Sequence, residues 1–256
     1  MDINLLKEYL DEKVSVYNNR TFIENDPISV PHAFNKKQDI EIAGFFAATL
    51  AWGQRTTIIR NSRRITELMD SDPHNFIVNH KDRDLIPFQN FVHRTFNSTD
   101  LLYFIHFLKH HYQKEESLET AFFREPRSET DCMQDALISF QQYFFSLEHP
   151  LRTHKHIASP GKNSACKRLN MYLRWMVRND ENKVDFGIWS KIKQSQLICP
   201  LDVHVARVAN RLGLLDNTDS NWKNAVTLTN QLRIMNPSDP VIYDYALFSI
   251  DLEDKL

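Results

Sequence analysis

The stretch DIEIAGFFAATLAW (residues 39–52) is apolar around nearly its whole circumference when it is drawn as a helix. Asp39 is a suitable N-cap and Gly53 follows as a break, so residues 39–52 are predicted to form one helix. A helix without a polar face must be surrounded by other elements. We therefore expect this segment to lie in the middle of a helical fold.

Apolar residues with helical spacing recur on both sides of this segment. The predicted helices cover residues 3–18, 54–70, 166–178, 203–213, 221–235 and 240–254, with two or more between 85 and 148 that flank the charged stretch 113–131. Only 5 of the 256 residues are glycine, which leaves few positions for the tight turns of an extensive sheet. The fold is therefore predicted to be all-α, either one compact unit over residues 1–256 or two interleaved helical lobes.

The composition excludes several classes of protein. No two glycines lie close enough for a glycine-rich phosphate cradle of the dinucleotide or P-loop kind. The 3 cysteines are odd in number and widely spaced, which argues against a disulfide scaffold and against a four-cysteine metal or iron–sulfur site. The charged amino terminus has no signal-peptide pattern and no apolar run is long enough to cross a membrane. We expect a cytoplasmic protein without a membrane partner.

Basic residues are concentrated between Leu151 and Arg178, although the net charge of the chain is −2. This segment contains no Asp or Glu, and its basic residues are Arg152, Lys155, Lys162, Lys167, Arg168, Arg174 and Arg178. Helical spacing places Lys167, Arg174 and Arg178 on one stripe. The stripe is either a solvated helix surface or a phosphate-binding surface. The turn SPGKN (residues 159–163) favours the second interpretation, because backbone N–H groups before a helix bind phosphates.

A second pattern is CPLDVHVARVANRLG (residues 199–213). Val205 and Val208 fall on one helical face, and His204 and Arg207 on another. Asp202 occupies the position of an N-cap, which by itself would stabilise the helix by about 1 kcal/mol. Taken alone, this pattern predicts no more than a capped amphipathic helix.

Taken together, Lys167 at the start of one helix and Asp202 at the cap of a later one resemble the helix-hairpin-helix DNA glycosylase superfamily. The resemblance covers mainly residues 38–70 and 159–248, and KRLNMYLR (residues 167–174) is most similar to the archaeal 8-oxoguanine glycosylase branch. The whole chain also resembles an uncharacterised bacterial family. The resemblance implies a helix-hairpin-helix glycosylase fold with a cleft between two interleaved lobes.

The activity that this resemblance implies is DNA repair by a glycosylase with AP-lyase activity. Such an enzyme removes a damaged base, here an oxidised purine such as 8-oxoguanine, from duplex DNA. Lys167 would attack the sugar and form a Schiff base, and Asp202 would complete the catalytic site. The resemblance implies no cofactor and no metal ion.

Two further sets of residues are implied by the same resemblance. The DNA-binding set lies in the hairpin and the helices that follow it, and comprises Pro160, Gly161, Lys162, Asn163, Arg168, Arg174, His204 and Arg207. The second set would form a pocket for the flipped base and comprises Trp52, Gln54, Arg55, Trp175 and Trp222.

The chain departs from the family pattern in its hairpin. The second glycine of Leu-Pro-Gly-x-Gly is absent and Lys167 comes two positions late, so Lys162 and Lys183 remain alternative nucleophiles. A nucleic-acid-binding protein of the same fold without catalytic activity is a second hypothesis. A metal hydrolase that uses His106 and His110 is a third.

Overall fold

A computed structural model describes residues 2–123 and 132–253 of the chain. Most of the predicted helices are present, with ends shifted by one to three residues. In chain order the α-helices are α1 Ile3–Tyr17, α2 Arg20–Glu24, α3 Lys37–Thr49, α4 Arg55–Leu68, α5 Pro73–Asn79, α6 Ser98–Tyr112, α7 Glu119–Phe122, α8 Cys132–Phe144, α9 Lys167–Val177, α10 Val203–Arg211, α11 Trp222–Met235 and α12 Asp244–Glu253. The prediction of a mainly helical protein is confirmed.

The structure corrects three details of the predicted elements. Asp39 is not an N-cap, because α3 begins earlier, at Lys37, and the Asp39 carboxylate accepts a hydrogen bond of 2.8 Å from the His74 N–H. The predicted helix 240–254 is divided into a 3-10 turn, Pro240–Tyr243, and α12. An unpredicted hairpin pairs β1 (Val92–His93) with β2 (Phe96–Asn97). Part of the charged stretch 113–131 lies outside the described residues.

The chain divides into two compact units, each made from separate segments of sequence. Unit 1 contains the described parts of residues 1–22, 128–135 and 159–256. Unit 2 contains those of residues 23–127 and 136–158.

The core of unit 2 is built around α3, and every residue from Asp39 to Thr49 is buried. Phe45 packs against Phe104 and Phe140, with ring centroids 5.5 and 5.9 Å away. The carboxylate of Glu41 lies in this interior and accepts hydrogen bonds from the Tyr112 hydroxyl at 2.8 Å and the Leu118 N–H at 3.1 Å. Burial of α3 on all sides confirms the prediction made from its sequence.

The core of unit 1 forms where α9, α10, α11 and α12 bury their apolar residues. Leu169, Tyr172, Leu173 and Met176 of α9 are all buried, as the helical spacing predicts. Helix α12 packs against α1 and α10, and α11 packs against the turn at Pro240–Tyr243. This packing holds the first residues of α9, α10 and α12, which carry the candidate site described next.

No helix in residues 2–123 or 132–253 is both long and apolar enough to span a bilayer.

Candidate functional site

The turn before α9 has the form of a short hairpin. Ser159 caps a 3-10 turn at Pro160–Lys162, and its hydroxyl accepts a hydrogen bond of 3.3 Å from the Gly161 N–H. Asn163 follows with φ +56°, in the left-handed region. It stands where the glycosylase hairpin has its second glycine, and Asn is one of the few other residues that adopt this conformation readily. Asn163 therefore adopts a backbone conformation that glycine also adopts, at the position where the resemblance leads us to expect a glycine.

The hairpin presents part of its surface to solvent. Gly161, Lys162 and Asn163 are exposed, whereas Pro160 is buried. Ser164 forms a bridge with Asn221, next to the start of α11. The predicted DNA-binding residues at positions 161–163 are thus accessible to a ligand. Pro160 is not accessible, because its side chain is buried in the protein.

Lys167 and Asp202 lie together in unit 1. Lys167 is the first residue of α9, and its Nζ is 3.3 Å from Oδ2 of Asp202. The other carboxylate oxygen, Oδ1, caps α10 by accepting hydrogen bonds from the N–H groups of His204 at 2.9 Å and Val205 at 3.0 Å. The two side chains remain 30% and 27% exposed, so a ligand could reach both of them from solvent.

The surroundings of Asp202 keep it ionised at neutral pH. Burial acts to raise the pKa of the carboxyl, but the positive charge of Lys167 and the two capping N–H groups outweigh it, and the pKa lies below its ordinary value. The site therefore holds a permanent negative charge beside a primary amine, at the positive ends of two helices.

Arg174 of α9 and Arg178, the C-cap residue of that helix, are buried in an ion-pair network. The Nη1 atom of Arg174 donates to the Asp244 carboxylate, and its Nε donates to Asp185 at 3.3 Å. Arg178 is fully buried and donates to Asp239 at 2.8 Å and to Asp185 at 3.0 Å. The prediction that Arg174 contacts DNA is wrong, because its guanidinium is directed into the protein and is neutralised there. Arg178 of the predicted basic stripe is neutralised in the same way, whereas Lys167 of that stripe is part-exposed.

Asp244, the first residue of α12, connects this network to the candidate site. Burial raises the pKa of its carboxyl to about 6, while Arg174 and then Lys167 act to lower the pKa and the negative charge of Asp202 acts to raise it. No pattern in the sequence assigns a role to Asp244. The available signal was that Arg174 and Arg178 stand among buried apolar residues of α9, where an arginine requires acidic partners.

Two of the predicted base-pocket residues are buried in unit 1. Trp175 has no exposed surface at all, so it cannot line an open pocket and this prediction is wrong. Trp222 is 6% exposed, and its indole N–H donates to Gln134 at 2.8 Å. Both side chains stabilise the core, which is the more common role of aromatic residues at helical spacing.

The remaining predicted residues of unit 1 are more accessible. Arg207 is exposed, Arg168 is half-buried, and His204 lies 3.4 Å from Asp251. The alternative nucleophile Lys183 is exposed, and its Nζ donates to Asn179 at 3.0 Å. Of the three candidate lysines, Lys167 is the one that the described ion pairs join to Asp202.

Trp52, Gln54 and Arg55 belong to unit 2 and surround the break between α3 and α4. Trp52 is half-buried, with the Arg94 guanidinium 5.5 Å from its ring centroid. Gln54 is exposed at the N-cap position of α4, and Arg55 is the first residue of that helix. Their role in base recognition stays a prediction.

The other reactive groups near the site are inert or absent. Burial raises the pKa of the Cys166 thiol to about 12, so the residue before Lys167 is not a thiolate at neutral pH. Within the described residues, no group of three or more His, Cys, Asp or Glu side chains is arranged to hold a metal ion. The primary amine of Lys167 lies beside the Asp202 carboxylate.

Comparisons with known proteins add one finding. Neither the curated proteins nor the solved structures contain a significant match to this chain. A family model does match, over residues 26–253, which is most of the chain and includes both Lys167 and Asp202. The chain belongs to the family described as Protein of unknown function (DUF2400).

Proposed function

We propose that this protein is a DNA glycosylase with AP-lyase activity that removes a damaged base, an oxidised purine, through a Schiff base on Lys167. The observation that carries the proposal is the 3.3 Å contact between Lys167 Nζ and Asp202 Oδ2. It joins an amine from the first residue of α9 and a carboxylate from the N-cap of α10, and both groups are accessible. The hairpin with exposed Gly161 and Lys162 lies directly before the amine in the chain.

The first step is attack by the amine. Lys167 loses a proton to solvent, because only the uncharged amine is a nucleophile. Its nitrogen then bonds to C1′ of the sugar while the bond from C1′ to the purine nitrogen breaks, and the base leaves with the bonding electrons and takes up a proton. The resulting secondary ammonium loses one of its two protons, the C1′–O4′ bond of the sugar ring breaks, and O4′ takes up a proton, which gives the protonated imine. A proton then leaves C2′ while the bond from C3′ to the 3′ phosphate oxygen breaks, so the phosphate departs with the bonding electrons and the strand is cleaved.

Asp202 stabilises this step by its charge. The sugar develops positive charge at C1′ as the base departs, and a carboxylate held ionised nearby favours that transition state. The low pKa of Asp202 suits this electrostatic role better than the role of a general base, because a weakly basic carboxylate accepts a proton poorly.

The hairpin and the helix ends supply the contacts to the DNA backbone. The exposed Lys162 ammonium suits a phosphate. The N–H groups of Gly161 and Asn163 already donate within the turn, to the Ser159 hydroxyl at 3.3 Å and the Pro160 carbonyl at 2.8 Å. Arg168, His204 and Arg207 extend this basic surface along α9 and α10. Arg174, Trp175 and Trp222 have no part in it, since they are buried.

The test is covalent trapping with sodium borohydride, which reduces the imine to a stable amine. The wild-type protein is incubated with duplexes that contain 8-oxoguanine, other oxidised purines or an abasic site, and cross-linked product is measured on denaturing gels. We expect trapping by the wild-type protein that is abolished in Lys167→Ala and retained in the matched variants Lys162→Ala and Lys183→Ala.

Two outcomes contradict the proposal in different ways. Trapping that depends on Lys162 or Lys183 would move the nucleophile and leave the activity in place. No trapping on any of these substrates would exclude the lyase. Duplex binding that persists in that case, and that survives Lys167→Ala, would support the non-catalytic nucleic-acid-binding protein instead.

A further inference from the structure

Helix α4 in unit 2 carries arginines that neither the core nor the proposed catalytic site uses. Arg60, Arg63 and Arg64 are all exposed. None of them takes part in an ion pair among the described residues, and Glu67 is the one acidic residue in the helix. The opposite face of α4 is anchored in the core through Ile58, Ile59 and Ile65. The arginines are therefore held on a rigid element and point away from the core.

A fourth arginine lies beside the start of this helix. Arg94 is exposed at the tip of the β1–β2 hairpin. A Cβ atom placed on Gly53 would be 2.9 Å from Arg94 Nη1, so this guanidinium rests against the residue that precedes the N-cap of α4. The hairpin is also joined to the middle of the helix, because the Asn61 side chain lies 2.9 Å from His93 Nδ1. We call Arg60, Arg63, Arg64 and Arg94 the arginine surface.

The chemistry of the arginine surface favours a phosphodiester backbone. Guanidinium groups bind phosphate oxygens in a bidentate manner, and Arg60 and Arg64 are one helical turn apart, which is about 6 Å along the helix axis. Each strand of duplex DNA carries one negative charge per about 3.4 Å of helix axis, so a span of about 6 Å offers nearly two phosphates of one strand. A lipid surface fits less well. Helices that bind membranes insert an apolar face, whereas the apolar face of α4 is already buried in the protein.

We propose that the arginine surface of unit 2 binds the phosphate backbone of a nucleic acid. This inference rests on the proposed function for the identity of the partner. It assigns contacts with the nucleic-acid backbone to residues outside the glycosylase-like pattern. It predicts that the affinity for nucleic acid depends on these arginines and that the chemical step at Lys167 does not.

The experiment compares salt dependence of binding in full-length variants. Fluorescence anisotropy with a short undamaged duplex gives the dissociation constant at several salt concentrations, and the slope of log K against log salt counts the phosphates contacted. In the triple variant Arg60→Gln, Arg63→Gln, Arg64→Gln we expect a slope that is smaller in magnitude by about 2 to 3. Glutamine keeps a high helix propensity, so α4 should remain folded, which circular dichroism checks.

Two matched variants separate specific contacts from net charge. Replacing the same three arginines by lysine keeps the charge, and we expect most of the slope to remain. Replacing Arg20, Lys81 and Lys193, which are exposed elsewhere, by glutamine removes the same charge from other places and should leave the slope close to the wild-type value. An equal loss in this second triple variant would show that only net charge matters and would overturn the inference.

Borohydride trapping on abasic DNA at low salt distinguishes this inference from the proposed function. Trapping by the glutamine variant together with a reduced slope supports both. A reduced slope without trapping in any variant supports the arginine surface and contradicts the lyase. Trapping by the glutamine variant with an unchanged slope contradicts the proposed role of the arginine surface and leaves the proposed lyase activity in place. Binding to anionic phospholipid vesicles that requires these arginines, with no binding to DNA, would assign the surface to a membrane and would overturn the inference.

Discussion

Lys167 is the first residue of α9 and Asp202 is the N-cap of α10, and their side chains meet at 3.3 Å. The two carboxylate oxygens of Asp202 have different partners: Oδ1 accepts from the backbone of α10 and Oδ2 faces the lysine. The structural role and the proposed chemical role of this residue therefore depend on different atoms. Substitutions can separate them.

The variant Asp202→Asn retains an oxygen that can cap α10 but loses the negative charge. We expect its free energy of unfolding to change by less than about 1 kcal/mol, since Asn and Asp are comparable caps. Trapping on 8-oxoguanine DNA should fall by about 100-fold or more, because the charge that favours the transition state is lost. Urea unfolding and borohydride trapping measure the two effects.

The variant Asp202→Ala is the control for this experiment. It removes the cap as well, and we expect an additional loss of stability of about 1 kcal/mol. If Asp202→Asn retained wild-type trapping, the carboxylate would be no more than a helix cap.

The ion pairs of Arg178 predict a strong dependence of stability on this residue. Arg178 has no exposed surface and binds Asp185 and Asp239. Its replacement by methionine leaves buried carboxylates without their partner, and we expect a loss of about 3 to 5 kcal/mol in urea unfolding. The exposed Arg207 is the matched control, and Arg207→Met should change stability by no more than about 0.5 kcal/mol. Similar losses in both variants would contradict a buried network.

The titration of Asp244 predicts how stability changes with pH. Its pKa is raised from 3.8 to about 6, chiefly by burial. Between these values the folded chain holds a proton that the unfolded chain has released, so this group lowers the free energy of unfolding as the pH rises through that range. The variant Asp244→Asn does not titrate. The free energy of unfolding should therefore decrease less with rising pH in this variant than in the wild-type protein.

Urea unfolding of both proteins at several pH values from about 4 to about 7 tests this prediction, since other carboxyl groups contribute equally to the two curves. We expect the difference in stability between wild-type and variant to shift in favour of the variant as the pH rises. A difference that is constant with pH would show that Asp244 is ionised throughout.

Two glycines with positive φ make a matched pair for backbone strain. Gly213 has φ +76°, and no atom lies within 4 Å of a Cβ built on it. In Gly213→Ala we therefore expect the free energy of unfolding to fall only by the strain of an alanine in the left-handed conformation, about 1 to 2 kcal/mol. Gly187 has φ +57°, and a Cβ there would lie 2.4 Å from the Asn179 Cβ. We expect Gly187→Ala to be the more destabilising by about 1 to 3 kcal/mol, measured by thermal unfolding. Equal effects would show that the Asn179 contact relaxes at little cost.

The helices and the burial of α3 could be predicted from local patterns. Helical periodicity and the apolar circumference of residues 39–52 are properties of short segments, and they led to nearly correct boundaries for α1, α4, α9 and α11. The hairpin was harder to interpret. Asn163 counts as a departure when only residue types are compared, but its φ of +56° shows that it adopts the conformation available to a glycine.

The sequence by itself determined a mainly helical chain with a helix buried on every side and with Asp202 as a helix cap, because these features depend on neighbouring residues. Only the tertiary structure decided which basic residues are available for a ligand. Arg174 and Asp244 are 70 positions apart, and Arg178 and Asp239 are 61 apart. Charge pairing over such separations leaves no local pattern. Two of the three residues of a stripe that looks basic in the sequence, Arg174 and Arg178, are therefore neutralised inside the fold, while the third, Lys167, meets Asp202 near the surface.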